Sequence, residues 1–267
     1  TGTLEYKWQS TASDPLGAGF DPASWTDISS SNTPTYQHAS ISQRTWFRRL
    51  SKISCEDTWI ASNTLVVDLT PFLITTTPTS VTFDYPCGFS NDLTVDENAG
   101  NVRFNVPGRG YTLNGGGLQS FPVEIPLANI TDITINGGQA NDVVHMGNFA
   151  TQMPNLIVNG GEGNDVINFG GDITFASNAS LDLDLQNDHV NPGEDQVNLT
   201  ANTNLIFQGT GSPVIKVSRN MTINTDGSIE VVDGNLVIEV NQQTPATIGN
   251  FIGFINIGTL RTTGEGD

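Results

Sequence analysis

Most of this chain alternates apolar and polar residues, and no stretch carries helical spacing. In Leu181-Asp182-Leu183-Asp184-Leu185 every second residue is apolar. Successive side chains of an extended strand point to opposite faces, so the leucines are expected inside and the aspartates in solvent. Strand centres near Leu183, Val197, Ile206, Ile215, Ile223, Val231 and Ile238 recur about every 8 residues. A longer period lies over this one. The segments 133–147 and 156–170 are two copies of one sequence, and a half-copy, Thr112-Leu113-Asn114-Gly115-Gly116, lies upstream by nearly the same interval. Three strands of about 8 residues fill one such repeat. The two periods together predict a right-handed parallel β-helix, with three strands and about 23 residues per coil, in which each coil buries its apolar face against its neighbours. Ile133, Ile135, Leu156 and Val158 are then interior, and Asn136 lies over Asn159, Asn141 over Asn164 and Asp142 over Asp165. His145, which replaces Asn168, is a solvent-facing position of the same register.

The N-terminal segment 1–70 follows another pattern. Short aromatic or β-branched runs (Leu4 to Gln9, Ala39 to Ser42, Trp46 to Leu50, Leu65 to Leu69) are separated by turn clusters such as Asp14-Pro15-Leu16-Gly17. Frequent turns favour antiparallel hairpins, here an immunoglobulin-like β-sandwich with Trp8 and Trp46 as core aromatics on facing sheets. Of Arg48 and Arg49, one is expected in solvent and one stacked on an aromatic ring. The chain thus divides into an N-terminally truncated sandwich over 1–70, an extended Thr/Pro linker over 71–88, and a β-helix over 89–267 that continues beyond the C-terminal end.

Charge divides in the same place. Residues 1–70 carry seven acids and five bases, the remainder 21 acids and five bases, within a net charge of −18. So acidic a segment offers no basic stripe for nucleic acid or an anionic membrane, and its natural small partner is a cation. No apolar run approaches the roughly 20 residues that span a bilayer, so no membrane insertion is expected. Cys55 and Cys87 are either a bridge or two separate thiols, and spacing does not decide between them.

Stacked carboxylates at Asp142 and Asp165 repel, which calls for an offsetting partner. The segment Gly160-Gly161-Glu162-Gly163-Asn164-Asp165-Val166-Ile167 resembles the Gly-Gly-x-Gly-x-Asp-x-apolar repeat of calcium-binding toxin-type β-rolls. The resemblance implies Ca²⁺ held by Asp142, Gly161, Glu162, Gly163 and Asp165. It covers two short turns. Ala140 stands where a glycine is expected, and the interval between copies is far longer than the nonapeptide period of a β-roll. A looser third copy, Gly193-Glu194-Asp195-Gln196-Val197, follows after a still longer interval, so that coil carries an insertion.

A second resemblance covers residues 3–70. The series Tyr6-Lys7-Trp8-Gln9, Trp25-Thr26-Asp27-Ile28, Thr35-Tyr36, Trp46-Phe47-Arg48-Arg49-Leu50, Cys55, Ser62-Asn63 and Leu65-Val66-Val67-Asp68-Leu69 is similar to the immunoglobulin-like repeats of very large bacterial cell-surface adhesins exported by type IX secretion. The usual first strands are missing. The resemblance implies a secreted or cell-surface location and a structural role in adhesion, as a spacer and rod, with a surface or polysaccharide ligand left unidentified.

Two alternatives stand beside this non-enzymatic reading. Asp182, Asp184, Asp188 and Asp195 could pair in a groove for glycoside hydrolysis. Polyuronate chemistry would have to draw on Arg103, Arg109, Lys216, Arg219 and Arg261, which are scattered, and His38, His145 and His189 form no spaced pair. The apolar segment Ile248 to Ile255 could instead join several chains into a homo-oligomeric fibre.

Overall fold

In a computed structural model, the described residues are 2–37, 44–67, 70–86, 90–188, 193–249 and 253–264. Among them the protein is all-β, with one 3₁₀ turn at Pro22–Ser24 and no α-helix. It divides into two compact units, Thr1–Thr70 and Pro71–Asp267.

The first unit is built on one antiparallel sheet of five strands: β1 (Leu4–Thr11), β2 (Thr26–Asp27), β3 (Thr45–Ile53), β4 (Ile60–Ala61) and β5 (Leu65–Val67). β1 pairs along its whole length with β3, from Leu4 opposite Ile53 to Thr11 opposite Trp46. This register corrects the expected tryptophan core. Trp8 lies opposite Arg49 and Trp46 opposite Thr11, so the two indoles belong to one sheet and leave it on opposite faces. Both are half-buried, and Trp25, Phe47 and Leu50 are the buried apolar residues instead. Both arginines are stacked, Arg48 4.3 Å from the Trp25 ring centroid and Arg49 5.4 Å from that of Tyr6. The strand expected at Ala39 to Ser42 and the end of the one at Asp68-Leu69 lie outside the described residues. Cys55 is an exposed free thiol, and Cys87 also lies outside them.

Residues read as linker belong to the second unit's core. β6 (Phe72–Thr76) and β7 (Ser80–Asp84) form an antiparallel hairpin in which Phe72, Ile74, Val81 and Phe83 are fully buried. Of the threonines that suggested an extended coil, Thr75 and Thr82 are outward residues of the two strands, Thr76 ends β6, and Thr77 and Thr79 lie in the turn between them. β8 (Asp92–Asn98), β9 (Asn101–Asn105) and β12 (Val123–Pro126) make an antiparallel set, while β10 (Gly110–Leu113) pairs parallel with β6 and antiparallel with β11 (Leu118–Ser120). The half-copy at 112–116 is therefore not a stacked repeat. Asn114 and Gly115, both at positive φ, turn the chain between β10 and β11. Asp84, rather than Asn114, lies beside Asn136.

From β13 (Asp132–Asn136) onward, which pairs with β7, and β14 (Val143–Met146), which pairs with β8, every pairing among the described residues is parallel. A first sheet runs through β13, β15 (Asn155–Asn159), β18 (Leu181–Leu185), β21 (Val214–Val217) and β24 (Val237–Val240). A second runs through β14, β16 (Val166–Phe169), β19 (Gln196–Leu199), β22 (Asn220–Ile223) and β25 (Gly253–Asn256). A third contains β17 (Ile173–Thr174), β20 (Asn204–Phe207), β23 (Ser228–Val231) and β26 (Thr259–Thr262). From β15 the chain visits first, second and third sheet in that order, repeatedly. All seven strand centres read from the short period fall on these strands. Leu181, Leu183 and Leu185 are buried while Asp182 faces out, and one apolar cluster drawn from all three sheets extends from Phe72 to Val231.

Candidate functional site

The connections from the first sheet to the second carry the glycine-rich repeats. Val143 pairs with Val166 and Asn136 with Asn159, so residues 137–142 and 160–165 bracket equivalent corners of successive coils. The corners are tied by backbone bonds: Gly137 N–H donates to Asn159 O (2.7 Å), Glu162 N–H to Gly138 O (3.0 Å) and Gly160 N–H to Asp184 O (3.0 Å). They approach so closely that a Cβ on Gly137 would overlap the Gly160 carbonyl oxygen. One on Gly161, whose φ is +89°, would overlap that of Gly138. Glycine is required here by backbone-to-backbone stacking.

Side-chain amides run along the same corner. Asn159 Nδ2 donates to Asn136 Oδ1, and Asn136 Nδ2 to Asp84 Oδ1, each at 2.7 Å. At the next ladder, Asn164 N–H donates to Asn141 Oδ1 (2.9 Å) and Glu194 N–H to Asn164 Oδ1 (2.8 Å). The anticipated registers at 136/159 and 141/164 are thus present, although the second pair bonds through a main-chain donor. Asn159→Ala removes one rung and leaves its neighbour's amide oxygen without its donor. It should cost about 1 kcal/mol, read as a shift in urea midpoint with unchanged m-value.

Behind these lies a ladder of buried acids. Asp142, Asp165 and Asp195 are 3, 2 and 1 % exposed. Each carboxylate accepts a main-chain N–H from the preceding coil: Asn91 to Asp142 Oδ1 (3.0 Å), Asp142 to Asp165 Oδ1 (2.8 Å), Asp165 to Asp195 Oδ1 (2.6 Å). The Asp195 N–H in turn donates to Ser218 Oγ (2.9 Å). Asp142 Oδ2 also accepts from Gly138 N–H (3.1 Å), and Oδ1 from Asn91 Nδ2 (3.3 Å). Burial, partly offset by these donors and Arg109, pushes the Asp142 carboxyl up to about 6. Burial, with the charges of Asp195, Asp142 and Asp188 outweighing the single Asp142 amide, pushes Asp165 up to about 8. Burial pushes Asp195 up to about 7, against the Asp165 amide and Ser218 hydroxyl. Asp188 is raised for the same first reason while binding Gly163 N–H (2.9 Å) and Gly193 N–H (2.8 Å).

This geometry does not fit the calcium set expected at Asp142, Gly161, Glu162, Gly163 and Asp165. Calcium takes about 6–8 oxygen donors converging on one point. Here the two aspartates are turned inward and bind main-chain amides of successive coils. Among the described residues no three His, Cys, Asp or Glu side chains are grouped to hold a metal ion. The sequence reading correctly stacks Asp142 on Asp165 but misses that the side chains point to the interior. It also misses Asn91, Ser218 and Tyr85 at the same corner. The available signal was the polar residue just before each of β8, β14, β16 and β19 (Asn91, Asp142, Asp165, Asp195), which continues the inward phase of the strand that follows it.

The acids proposed for hydrolysis are dispersed. Asp182 and Asp184 lie on the outward side of β18, with Asp184 3.8 Å from Lys216 Nζ, while Asp188 and Asp195 are engaged at the corner. Arg103 pairs with Asp96, Arg219 with Glu194 and Arg261 with Glu230, and Arg109 bonds Asn91 Oδ1 (2.7 Å). His145 is exposed beside Asp92 (3.0 Å); His38 and His189 lie outside the described residues. No helix of the described residues is long and apolar enough to cross a membrane. No protein-family profile, curated protein or solved structure matches this chain.

Proposed function

We propose that the chain is a structural, adhesive segment of a long extracellular surface protein. In this reading the first unit is an immunoglobulin-like spacer and the second a parallel β-helix of three strands per coil, which extends and stiffens the molecule. The observation that carries it is the repeated passage through three parallel sheets with polar side chains in register from coil to coil. Such an array is a ladder of nearest-neighbour contacts, which gives rigidity along its length. In this reading stiffness rests on the amide and carboxyl rungs that join one coil to the next.

The rival is a carbohydrate-active enzyme on the same scaffold. The adhesive reading predicts that the purified chain is retained by some surface polysaccharide and releases no reducing ends from it. Release of reducing ends, abolished by Asp184→Asn or Asp188→Asn, would overturn it. A multi-chain fibre is the other reading, favoured by exposed Val237, Ile248, Phe254, Ile257 and Leu260. Sedimentation that rises with concentration to a multimer would select it over an independent segment.

A further inference from the structure

Two features of the acid ladder are not explained by ionised carboxylates. The first is a proton count at Asp195. Ser218 Oγ lies 2.6 Å from Asp195 Oδ2 and 2.8 Å from Gly193 O, and it already accepts the Asp195 N–H. A hydroxyl has one proton to give. If Asp195 is ionised, Ser218 can satisfy only one of those two oxygens, and the other contact sets lone pair against lone pair. If Asp195 is a neutral acid, its O–H donates to Ser218 and Ser218 donates to Gly193 O. Thr247 Oγ1, 2.6 Å from the same carbonyl, serves its second lone pair.

The second is the orphan oxygen of Asp165. Its Oδ2 is buried with no hydrogen-bond partner, as is Tyr85 Oη. Both residues line a cavity of about 10 Å³, walled by Ile135, Val144, Val158 and Ile167. A charged oxygen against such a wall forfeits its hydration without replacement, and a buried carboxyl in that position takes up a proton instead.

We propose that Asp165 and Asp195 are neutral carboxylic acids in the folded protein, so that the glycine-asparagine corners bind protons where their sequence suggests calcium. The groups facing the pair reinforce this. Asp142, Asp188 and Tyr85 surround Asp165, Asp188 also faces Asp195, and Glu162 faces Asp188. Arg109 faces Asp142 and holds that member closest to ionisation. Neutralising these two successive rungs removes the repulsion that a column of carboxylates would otherwise carry.

The pH dependence has a definite sign. In the unfolded chain these acids titrate near their ordinary value of 3.8, and in the folded one Asp195 and Asp165 titrate near 7 and 8. Between those limits the folded state binds more protons. The stabilisation is complete below the unfolded value and is lost as pH rises through about 7 and 8. This is the reverse of ordinary acid denaturation.

Carbon-13 carboxyl spectra of the whole chain, labelled at aspartate and assigned with Asp165→Asn and Asp195→Asn, test the proposal. Two resonances titrating above about pH 6 are expected, together with a melting temperature that falls by about 10 °C from about pH 5 to about pH 9. The double Asn variant keeps each acceptor and supplies an N–H where the acid supplies an O–H, so it should flatten that fall. Both resonances titrating near the ordinary aspartate value, or a melting temperature that rises over this range, overturns the proposal. So does a calcium-dependent rise at about pH 8 that the double variant abolishes. Should a variant fail to fold, the titration of the parent protein still decides, with resonances counted rather than assigned. Reducing-end and polysaccharide assays do not enter this outcome, so the proton ladder and the adhesive reading stand or fall separately.

Discussion

Gly137→Ala is expected to lower the melting temperature of the second unit by about 10 °C, and Gly117→Ala to leave it within about 2 °C of the parent. The contrast isolates what the corner glycines do. A methyl on Gly137 would meet the carbonyl of Gly160, an atom of the neighbouring coil's main chain that no rotamer change can withdraw. The same corner is interlocked from the other side, where Gly161 sits over Gly138 O at positive φ. Inserting a carbon there must push apart coils that share the bonds Gly137 N–H to Asn159 O and Glu162 N–H to Gly138 O. We expect a loss of about 3 kcal/mol or more, the upper range for overpacking, because the obstacle is rigid. Gly117 has open space around its Cα. Alanine there only narrows the unfolded ensemble, which is neutral or mildly stabilising. Calorimetry on the three proteins at one pH measures both shifts. Equal, small shifts would show that the coils do not stack through these glycines.

The same corner marks where the sequence was informative and where it was silent. Strand alternation is imposed by burial on one face of each strand, so Leu181 to Leu185 could be read directly, as could the repeat register that sets Asn136 beside Asn159. The direction of a corner aspartate was harder to accept than to read. Asp142 and Asp165 lie just before strands, in phase with the buried Val144 and Met146 and the buried Ile167 and Phe169, but a charged residue type argued against the interior. A glycine-rich turn with an aspartate is compatible with an outward metal site or an inward amide site. The choice depends on which backbone N–H of the adjacent coil lacks a partner, and only the assembled coils supply that. The hairpin formed by β6 and β7 was hidden for a related reason. Its prolines and threonines have the composition of a linker, but Phe72, Ile74, Val81 and Phe83 close the core of the second unit against Phe104 and Phe121. In the first unit, position alone could not say that Trp8 and Trp46 share a sheet, because that follows from the register of β1 on β3.

The third sheet was the least legible in its first strand, and it carries the second large effect. β17 is two residues long and ends beside Phe175, whose amide bonds to Ile206 O and whose neighbour across the coil is Met153. The Phe175 and Phe207 rings are stacked with centroids 4.3 Å apart and planes 18° apart, and both residues are fully excluded from solvent. Met153 lies before this pair and Val231 after it, so one apolar column passes through four successive coils. Phe175→Ala removes a whole ring from that column, with backbone-bonded coils on either side that cannot close the gap. The expected cost is about 3–5 kcal/mol, which corresponds to a fall of about 10 °C or more in melting temperature. Phe175→Leu retains most of the volume and should cost roughly 1–2 kcal/mol. A double-mutant cycle with Phe207→Leu should return a coupling of about 0.5–1.5 kcal/mol for the lost ring pair. Leu16→Ala, at a side chain 92 % exposed, should change stability by less than about 0.5 kcal/mol. If Phe175→Ala costs no more than that exposed substitution, the third sheet does not share the core of the other two. The apolar column would then not bind the coils to one another, and the stiffness attributed to the second unit would have to come from the corner ladders alone.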